Sequence, residues 1–381
     1  MPRTSLSIYI HWPFCKIKCP YCDFNSYKRE SVDQAQWVEA YLRALELWFS
    51  RLDKRKIDSI FFGGGTPSLL EIEELNLIFE QLHKHFKICK DAEITLEANP
   101  DDLNRTYLEQ IKNSPINRFS IGIQSFHNDD LKYLNRIHSG EDALNSIKLA
   151  QDYGFENLTI DLIYGIPGLT MDKWKRNLEL FYSLNIPHLS AYSLTVEPKT
   201  ALDTLIRKKK LPNVKDEESI AHFKFLQKSV KENGYEHYEI SNFSKPGYYS
   251  KHNSLYWLGA HYLGLGPSAH SFNGTSRQWN VSSLSRYIQG CEKNDPVFEK
   301  EILSKDQQFN EYIMTSLRTS WGCSLEHIQN IFGKQYLKKL ELNISPFIKK
   351  EWVTLNSKTY FLTESGKLFA DGIASDLFID D

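Results

Sequence analysis

Short runs of apolar and β-branched residues recur through the first half of the chain. Each is closed by glycine, proline or polar residues and followed by the spacing of an amphipathic helix. The strand-like runs are Leu6 to His11, Ser59 to Phe62, Glu93 to Glu97, Arg118 to Ile123, Leu158 to Ile163 and His188 to Leu194. Between the first two, Trp37, Tyr41, Ala44, Leu45 and Trp48 fall at i, i+4, i+7, i+8 and i+11, on one helical face that suits packing on a sheet. Further helices are predicted over Glu71 to Phe86, Leu103 to Lys112, Asp129 to Tyr153, Asp172 to Leu184 and Asp216 to Asn233. Alternation at this spacing predicts βα units and a parallel sheet, hence an α/β fold. Six units are two short of a closed eightfold barrel, so an open, partial (β/α)6 barrel is the economical expectation. A doubly wound open sheet carries the same alternation, and the count alone does not choose. Polar residues follow several strand ends, as a site on the C-terminal rim of a barrel requires.

After about residue 235 the pattern changes. Tyr235 to Trp279 is rich in aromatics and glycines and has no long helical repeat. Helices resume over Gln307 to Leu317, Leu325 to Phe332 and Ser345 to Lys350; Glu351 to Leu362 alternates like a hairpin, and a last helix is predicted over Glu364 to Phe378. The expected organisation is a barrel over residues 1–235, an aromatic-rich extension packing on it over 236–300, and a smaller C-terminal α+β, winged-helix-like domain over 301–381.

The 381 residues, 41% hydrophobic and with a net charge of −2, describe an ordinary globular chain. The near-neutral balance gives no bulk electrostatic reason to expect nucleic acid or an anionic membrane as a partner. The basic run Arg207 to Lys210 reads as a solvated loop. Met1 to Leu6 reaches the first strand before a signal peptide's apolar stretch can form, and no segment approaches the roughly 20 apolar residues of a membrane span. A cytoplasmic, reducing location is expected. Six cysteines are too few for a disulfide scaffold in a chain of this length. Cys89, Cys291 and Cys323 are scattered and read as small apolar residues.

The other three stand together in His11-Trp12-Pro13-Phe14-Cys15-Lys16-Ile17-Lys18-Cys19-Pro20-Tyr21-Cys22, just after the first strand. A cubane cluster usually takes four thiolates, whereas CxxxCxxC offers three on one tight loop and leaves one iron open. Lys16 and Lys18 would favour the thiolate forms and offset the cluster's negative charge. A structural zinc site is the competing reading; it needs four ligands in paired spacings, with His11 available as a fourth.

CxxxCxxC with an aromatic before its last cysteine, on the loop after strand one of a βα chain, resembles the radical S-adenosylmethionine superfamily. That resemblance implies a 4Fe-4S cluster on Cys15, Cys19 and Cys22, whose open iron binds S-adenosylmethionine. Gly63-Gly64-Gly65-Thr66-Pro67 at the end of strand two then suits close backbone approach to a ligand. Arg136 suits the methionyl carboxylate, and Glu97, Gln124 and Asp161 suit ammonium or ribose hydroxyl groups. Within the superfamily, these phrases resemble the oxygen-independent coproporphyrinogen III oxidase family, together with Asp161 to Gly168 and Gly264-Leu265-Gly266-Pro267-Ser268-Ala269-His270. The likeness runs from about Ser7 to the C-terminus. Carried over by motif, Tyr9, Tyr21, Gly64, Gly65, Thr66, Glu97, Gln124, Arg136 and Asp161 match that family's S-adenosylmethionine contacts, with Asn135 where glycine is frequent.

The decarboxylating oxidases extend the motif to CxxxCxxCxC and carry a longer N-terminal extension, whereas here Cys22 is followed by Asp23-Phe24. This is similar to the HemW branch, regarded as haem chaperones. His252-Asn253-Ser254-Leu255-Tyr256-Trp257 matches that branch's HNxxYW motif. The resemblance implies His252 as a haem ligand, with His237, His261 and His270 nearby. The implied function is a haem chaperone that binds haem or a related tetrapyrrole and passes it to an unidentified acceptor protein, with an electron donor to the cluster. The alternatives are an oxygen-independent coproporphyrinogen III oxidase and a related radical methyltransferase.

Overall fold

A computed structural model of the chain describes residues 5–28, 34–49 and 55–379. Residues 1–4, on which the expectation of no leader partly rests, lie outside them. Six parallel strands succeed one another across the sheet as the alternation predicts: β1 Ser5–Trp12, β2 Lys56–Gly64, β3 Lys87–Ala98, β4 Arg118–Gln124, β5 Leu158–Tyr164 and β6 His188–Ser193. Their side chains alternate between two faces. One face is apolar: Ile8, Ile10, Ile60, Phe62, Ile94, Leu96, Ile121, Ile160 and Leu189 are buried in a core shared with Trp37, Leu75, Ile78, Leu108 and Trp174 of the intervening helices. The opposite face, which lines the barrel interior, is polar. Ser7, Ser59, Glu93, Thr95, Arg118, Ser120, Thr159, His188 and Ser190 are all buried there.

That polar interior is held by side chains from neighbouring strands. Ser59 donates to Ser7 at 3.0 Å, and Arg118 reaches Thr95 at 3.5 Å, Thr159, and Glu93 at 3.7 Å. A buried guanidinium is tolerated only where acceptors surround it, and the two flanking strands, β3 and β5, supply them.

The predicted helix Asp129 to Tyr153 is two helices, Asn128–Tyr133 and Gly140–Asp152. Asn135 adopts a left-handed φ of 54°, and Ser139 starts the second helix with a capping box to Asp142. The break turns Arg136 toward the barrel mouth. The aromatic-rich segment does more than pack on the barrel, because its strands continue the barrel's sheet at both edges. Glu236–Glu239 and Asn242–Ser244 add antiparallel beyond β6, while Tyr262–Leu265 pairs parallel to β1 and leads into His270–Phe272, Ser276–Asn280 and Phe298–Ile302. The segment also contains a helix, Lys251–Trp257, where no helical repeat is legible.

A second core gathers Phe309, Ile313, Ile328, Leu340, Ile344, Phe347, Tyr360 and Ile373. Its longest helix is Lys334–Lys349, starting well before the expected Ser345. Tyr336, Leu340, Ile344 and Phe347 form its buried stripe, and Pro346 falls near its end. The predicted hairpin is Val353–Asn356 with Thr359–Leu362. The predicted last helix shortens to Ala370–Asp376 behind a 3-10 turn, where a Cβ on Gly366 would collide with the Trp352 carbonyl. Arg318 joins the two cores by donating to Glu239 at 2.8 Å.

Phe309 is fully buried at the centre of the second core. Phe309→Ala is expected to cost about 3–5 kcal/mol, read by urea denaturation as a lowered transition of that core; an unchanged midpoint would contradict the packing described.

Candidate functional site

β1 ends at Trp12, and the chain turns through Pro13 and buried Phe14 into the cysteine loop. Backbone bonds fix this turn against β2 and the return of the loop. The amide of Gly65 donates to the Trp12 carbonyl at 2.6 Å, that of Thr66 to Phe14 at 2.8 Å, and that of Tyr27 to Pro13 at 2.7 Å. A Cβ on Gly65 would stand 2.7 Å from the Trp12 carbonyl oxygen and 2.6 Å from that of Phe14. The amide of Gly64 donates to Glu97 at 3.2 Å. The glycines therefore admit protein backbone: all three amides of Gly64, Gly65 and Thr66 are taken by the chain itself, which differs from the expected cradle for a ligand.

Cys15, Cys19 and Cys22 are half-buried, unbonded thiols on this loop. Burial raises the Cys15 and Cys22 thiols, Cys22 to about 11, and the neighbouring Cys19 raises both further. Among the described residues no three His, Cys, Asp or Glu gather as a single metal ion would need. The expected role of Lys16 is corrected: its ammonium pairs with Asp101 at 2.7 Å and with Asp102. Lys18 donates to the Phe24 carbonyl at 3.3 Å. Its charge still favours the Cys22 thiolate, as expected, and Arg136 adds a direct contact, its Nη1 lying 3.5 Å from the sulfur of Cys19.

Arg136 is positioned by Asn99 Oδ1 at 2.6 Å and the Gly122 carbonyl at 2.9 Å, and its buried Nε has no partner among the described residues. Tyr21 lies against Arg136 and Cys19, and Thr66 hydrogen-bonds Cys15. Gln124, at the end of β4, takes a left-handed φ of 66°. Beside this cluster end, Tyr9, Gly64, Glu97, Asp161 and His252 line one cavity of about 1250 Å³. Burial, reinforced by Asp161, pushes Glu97 up to about 8, and burial pushes Asp161 up to about 6. Two carboxyls facing the cavity fit a ligand bearing ammonium or hydroxyl groups, while Arg136 stands beside the thiols and is not among the residues that line the cavity.

His252 sits on the helix Lys251–Trp257 and is only 1% exposed. Its amide and that of Lys251 donate to the Glu93 carboxylate, both at 2.9 Å, which ties the helix start into the barrel interior. Its Nδ1 meets Ser59 at 2.9 Å and its Nε2 meets the Tyr256 hydroxyl at 2.9 Å, with Phe61 stacked on the ring at 5.0 Å. Both ring nitrogens are therefore engaged. Ser59, Glu93 and Arg118 are residues around His252 and the barrel interior that sequence reasoning missed; the polar face of strands β2 to β4 was the available signal.

The Glu97 shift has a stability consequence. Between its ordinary value of 4.5 and about 8 the unfolded chain has lost this proton while the folded chain keeps it. The folded state is therefore destabilised as pH rises through that window. Melting of the chain stripped of cluster and ligand is expected to move to lower temperature from about pH 5 to about pH 8, with a flatter profile in Glu97→Gln; identical profiles would refute the assignment.

The radical SAM superfamily profile matches residues 9–181, and the HemN C-terminal domain profile matches residues 303–369. The heme chaperone HemW of Bacillus subtilis (strain 168) is 34% identical over 373 residues, covering 96% of this chain and 97% of that protein. That of Lactococcus lactis subsp. lactis is 32% identical over 375 residues and 98% of each. In fold, the coproporphyrinogen III oxidase HemN from Escherichia coli superposes with a TM-score of 0.81 at 24% identity, covering 98% of this chain and 90% of that one. With such identity sustained along nearly its whole length, on a partial barrel that presents CxxxCxxC at the end of its first strand, the chain belongs to the HemW family of the radical S-adenosylmethionine superfamily.

Proposed function

We propose that the chain is a haem chaperone: it binds haem in the large cavity and passes it to an acceptor protein, with the 4Fe-4S cluster and S-adenosylmethionine of the superfamily in a supporting role. The observation that carries this reading is the cavity itself. At about 1250 Å³ it exceeds an ordinary small-ligand pocket of roughly 300–1,000 Å³ and runs from the barrel mouth to the second core. Large apolar side chains stand open along it: Phe24 is 63% exposed, Ile331 57% and Met314 39%. Apolar surface left in water inside a concavity suits a flat, apolar macrocycle. The names carried by the full-length relatives support the same reading.

In this reading Cys15, Cys19 and Cys22 hold the cluster. Arg136, Glu97, Gln124 and Asp161, with Tyr9, Tyr21 and the Gly64 to Thr66 turn, form the S-adenosylmethionine end. Together the two cofactors supply one-electron chemistry when bound. The residues of this chain position them: Arg136 contacts the Cys19 thiol, and the interior carboxyls offer acceptors for ammonium or hydroxyl groups. Phe24 shapes the choice between chaperone and oxidase, because it puts an apolar ring on the cavity where the decarboxylating pattern puts a thiol. His252 reaches haem iron only when Tyr256 releases its Nε2, and replacing it with alanine strands the Ser59 and Tyr256 hydroxyls. The acceptor and the electron donor are proteins of the same compartment, which we place in the cytoplasm. Among the described residues no helix is long and apolar enough to cross a membrane.

The test is anaerobic: cluster-reconstituted protein is given haem or coproporphyrinogen III, and absorbance and product chromatography are followed. Stoichiometric haem uptake with no porphyrin product is the expected result. Conversion of coproporphyrinogen to protoporphyrinogen, or no haem uptake, would overturn the chaperone reading.

A further inference from the structure

Iron takes an imidazole through a nitrogen lone pair, so the position of the ring proton decides which nitrogen can bind it. Around His252 the hydrogen bonds settle that position. Ser59 spends its single hydroxyl proton on Ser7 Oγ at 3.0 Å, so its oxygen accepts from Nδ1–H of His252 at 2.9 Å. The ring is 1% exposed and its partners are hydroxyls rather than carboxylates. Burial, with Arg118 adding to it, pushes its pKa down to about 3, and the ring carries no second proton. The lone pair therefore sits on Nε2, where the Tyr256 hydroxyl donates to it at 2.9 Å.

The two members of this bond are held very differently. His252 is fixed on three sides: Phe61 stacks on its ring at 5.0 Å, Ser59 holds Nδ1, and the Glu93 carboxylate accepts the first amides of its helix. Tyr256 stands one turn further along the same helix, its ring edge-on to the imidazole at 4.9 Å and edge-on to Tyr262 at 4.6 Å. Among the described residues, Nε2 is the only hydrogen-bond partner of its hydroxyl. Both side chains line the cavity of about 1250 Å³, which gives the phenol room to turn away from a ring that stays in place.

A carrier has to give its cargo up, and a bare, preformed imidazole would meet haem iron with no group opposing it. Resting on the haem-chaperone reading with His252 as the iron ligand, we propose that Tyr256 is the release residue of the site: its hydroxyl competes with haem iron for Nε2 of His252. On loading, the O–H···Nε2 hydrogen bond breaks, the Nε2 lone pair forms the Fe–N bond, and any water on that face of the iron leaves. On transfer the Fe–N bond breaks and the hydroxyl recaptures the lone pair. The phenol keeps its proton on oxygen, Nδ1–H stays on Ser59, and no electron moves. A single neutral hydrogen bond is a small opponent, which weakens haem binding by roughly three- to tenfold without preventing it.

The experiment is an anaerobic haem titration of the full chain, read by Soret absorbance and electron paramagnetic resonance, followed by haem release into excess apomyoglobin. It compares the wild type with His252→Ala, with Tyr256→Phe, which keeps the ring and removes the hydroxyl, and with Tyr256→Leu, which removes both. Far-UV circular dichroism checks that each variant folds. Tyr256→Phe is expected to keep the imidazole-ligated spectrum, to bind haem roughly three- to tenfold more tightly and to release it correspondingly more slowly. Tyr256→Leu is expected to move in the same direction, and His252→Ala to lose the imidazole signature and regain it with free imidazole. Wild-type affinity and release rate in the folded Tyr256 variants, or weaker binding by them, would overturn the assignment. No uptake by the wild type would remove the chaperone reading itself, and an unchanged spectrum in His252→Ala would remove His252 as ligand. Loss of the signature in His252→Ala beside a wild-type release rate in Tyr256→Phe removes this assignment alone.

Discussion

The backbone stitch between the ends of β1 and β2 is the constraint on which the site depends. The Gly65 amide meets the Trp12 carbonyl and the Thr66 amide meets that of Phe14, so the start of the cysteine loop is held as firmly as a strand of the sheet. A loop carrying three thiolates for one cluster resists their mutual repulsion and the entropy of ordering. Anchoring it to two strands and to Tyr27 on its return reduces both problems to local geometry. Positive charge at the loop comes from Arg136, delivered by the helix break at Asn135, and from Lys18, whose charge favours the Cys22 thiolate, while Lys16 is held by Asp101 and Asp102.

A second constraint is the polar lining of the barrel. An ordinary closed barrel fills its interior with branched apolar side chains, whereas this interior carries Ser7, Ser59, Glu93, Arg118 and Asp161. Those groups need partners, and the helix Lys251–Trp257 brings several: its first amides satisfy Glu93, and His252 satisfies Ser59. At the open end burial makes the carboxyls of Glu97 and Asp161 hold their protons strongly, although Gly64 donates to Glu97 and Ser120 to Asp161, and oxygen acceptors at the mouth suit cationic or hydroxyl groups. The same cavity then opens past Phe24 toward the second core.

The six strands were legible because each carries a continuous apolar face broken by glycine or proline, and the cysteine loop because its spacing is local. What escaped was set by partners distant in sequence. Tyr262–Leu265 becomes the neighbour of β1 through pairing across some 250 residues, and nothing in its four residues announces that. Lys16 finds Asp101 85 positions away, and His252 finds Ser59 193 positions away. The start of Lys334–Lys349 was missed for another reason: its buried stripe is one residue per turn among lysines and asparagine, which weakens the periodic signal.

If the stitch at Gly65 positions Cys15, Cys19 and Cys22, a Cβ there disturbs all three. Iron and sulfide content of Gly65→Ala after anaerobic reconstitution measures this, with far-UV circular dichroism as the control for folding. A folded chain that has lost most of its cluster is expected. A full complement of iron with the wild-type absorbance spectrum would contradict it.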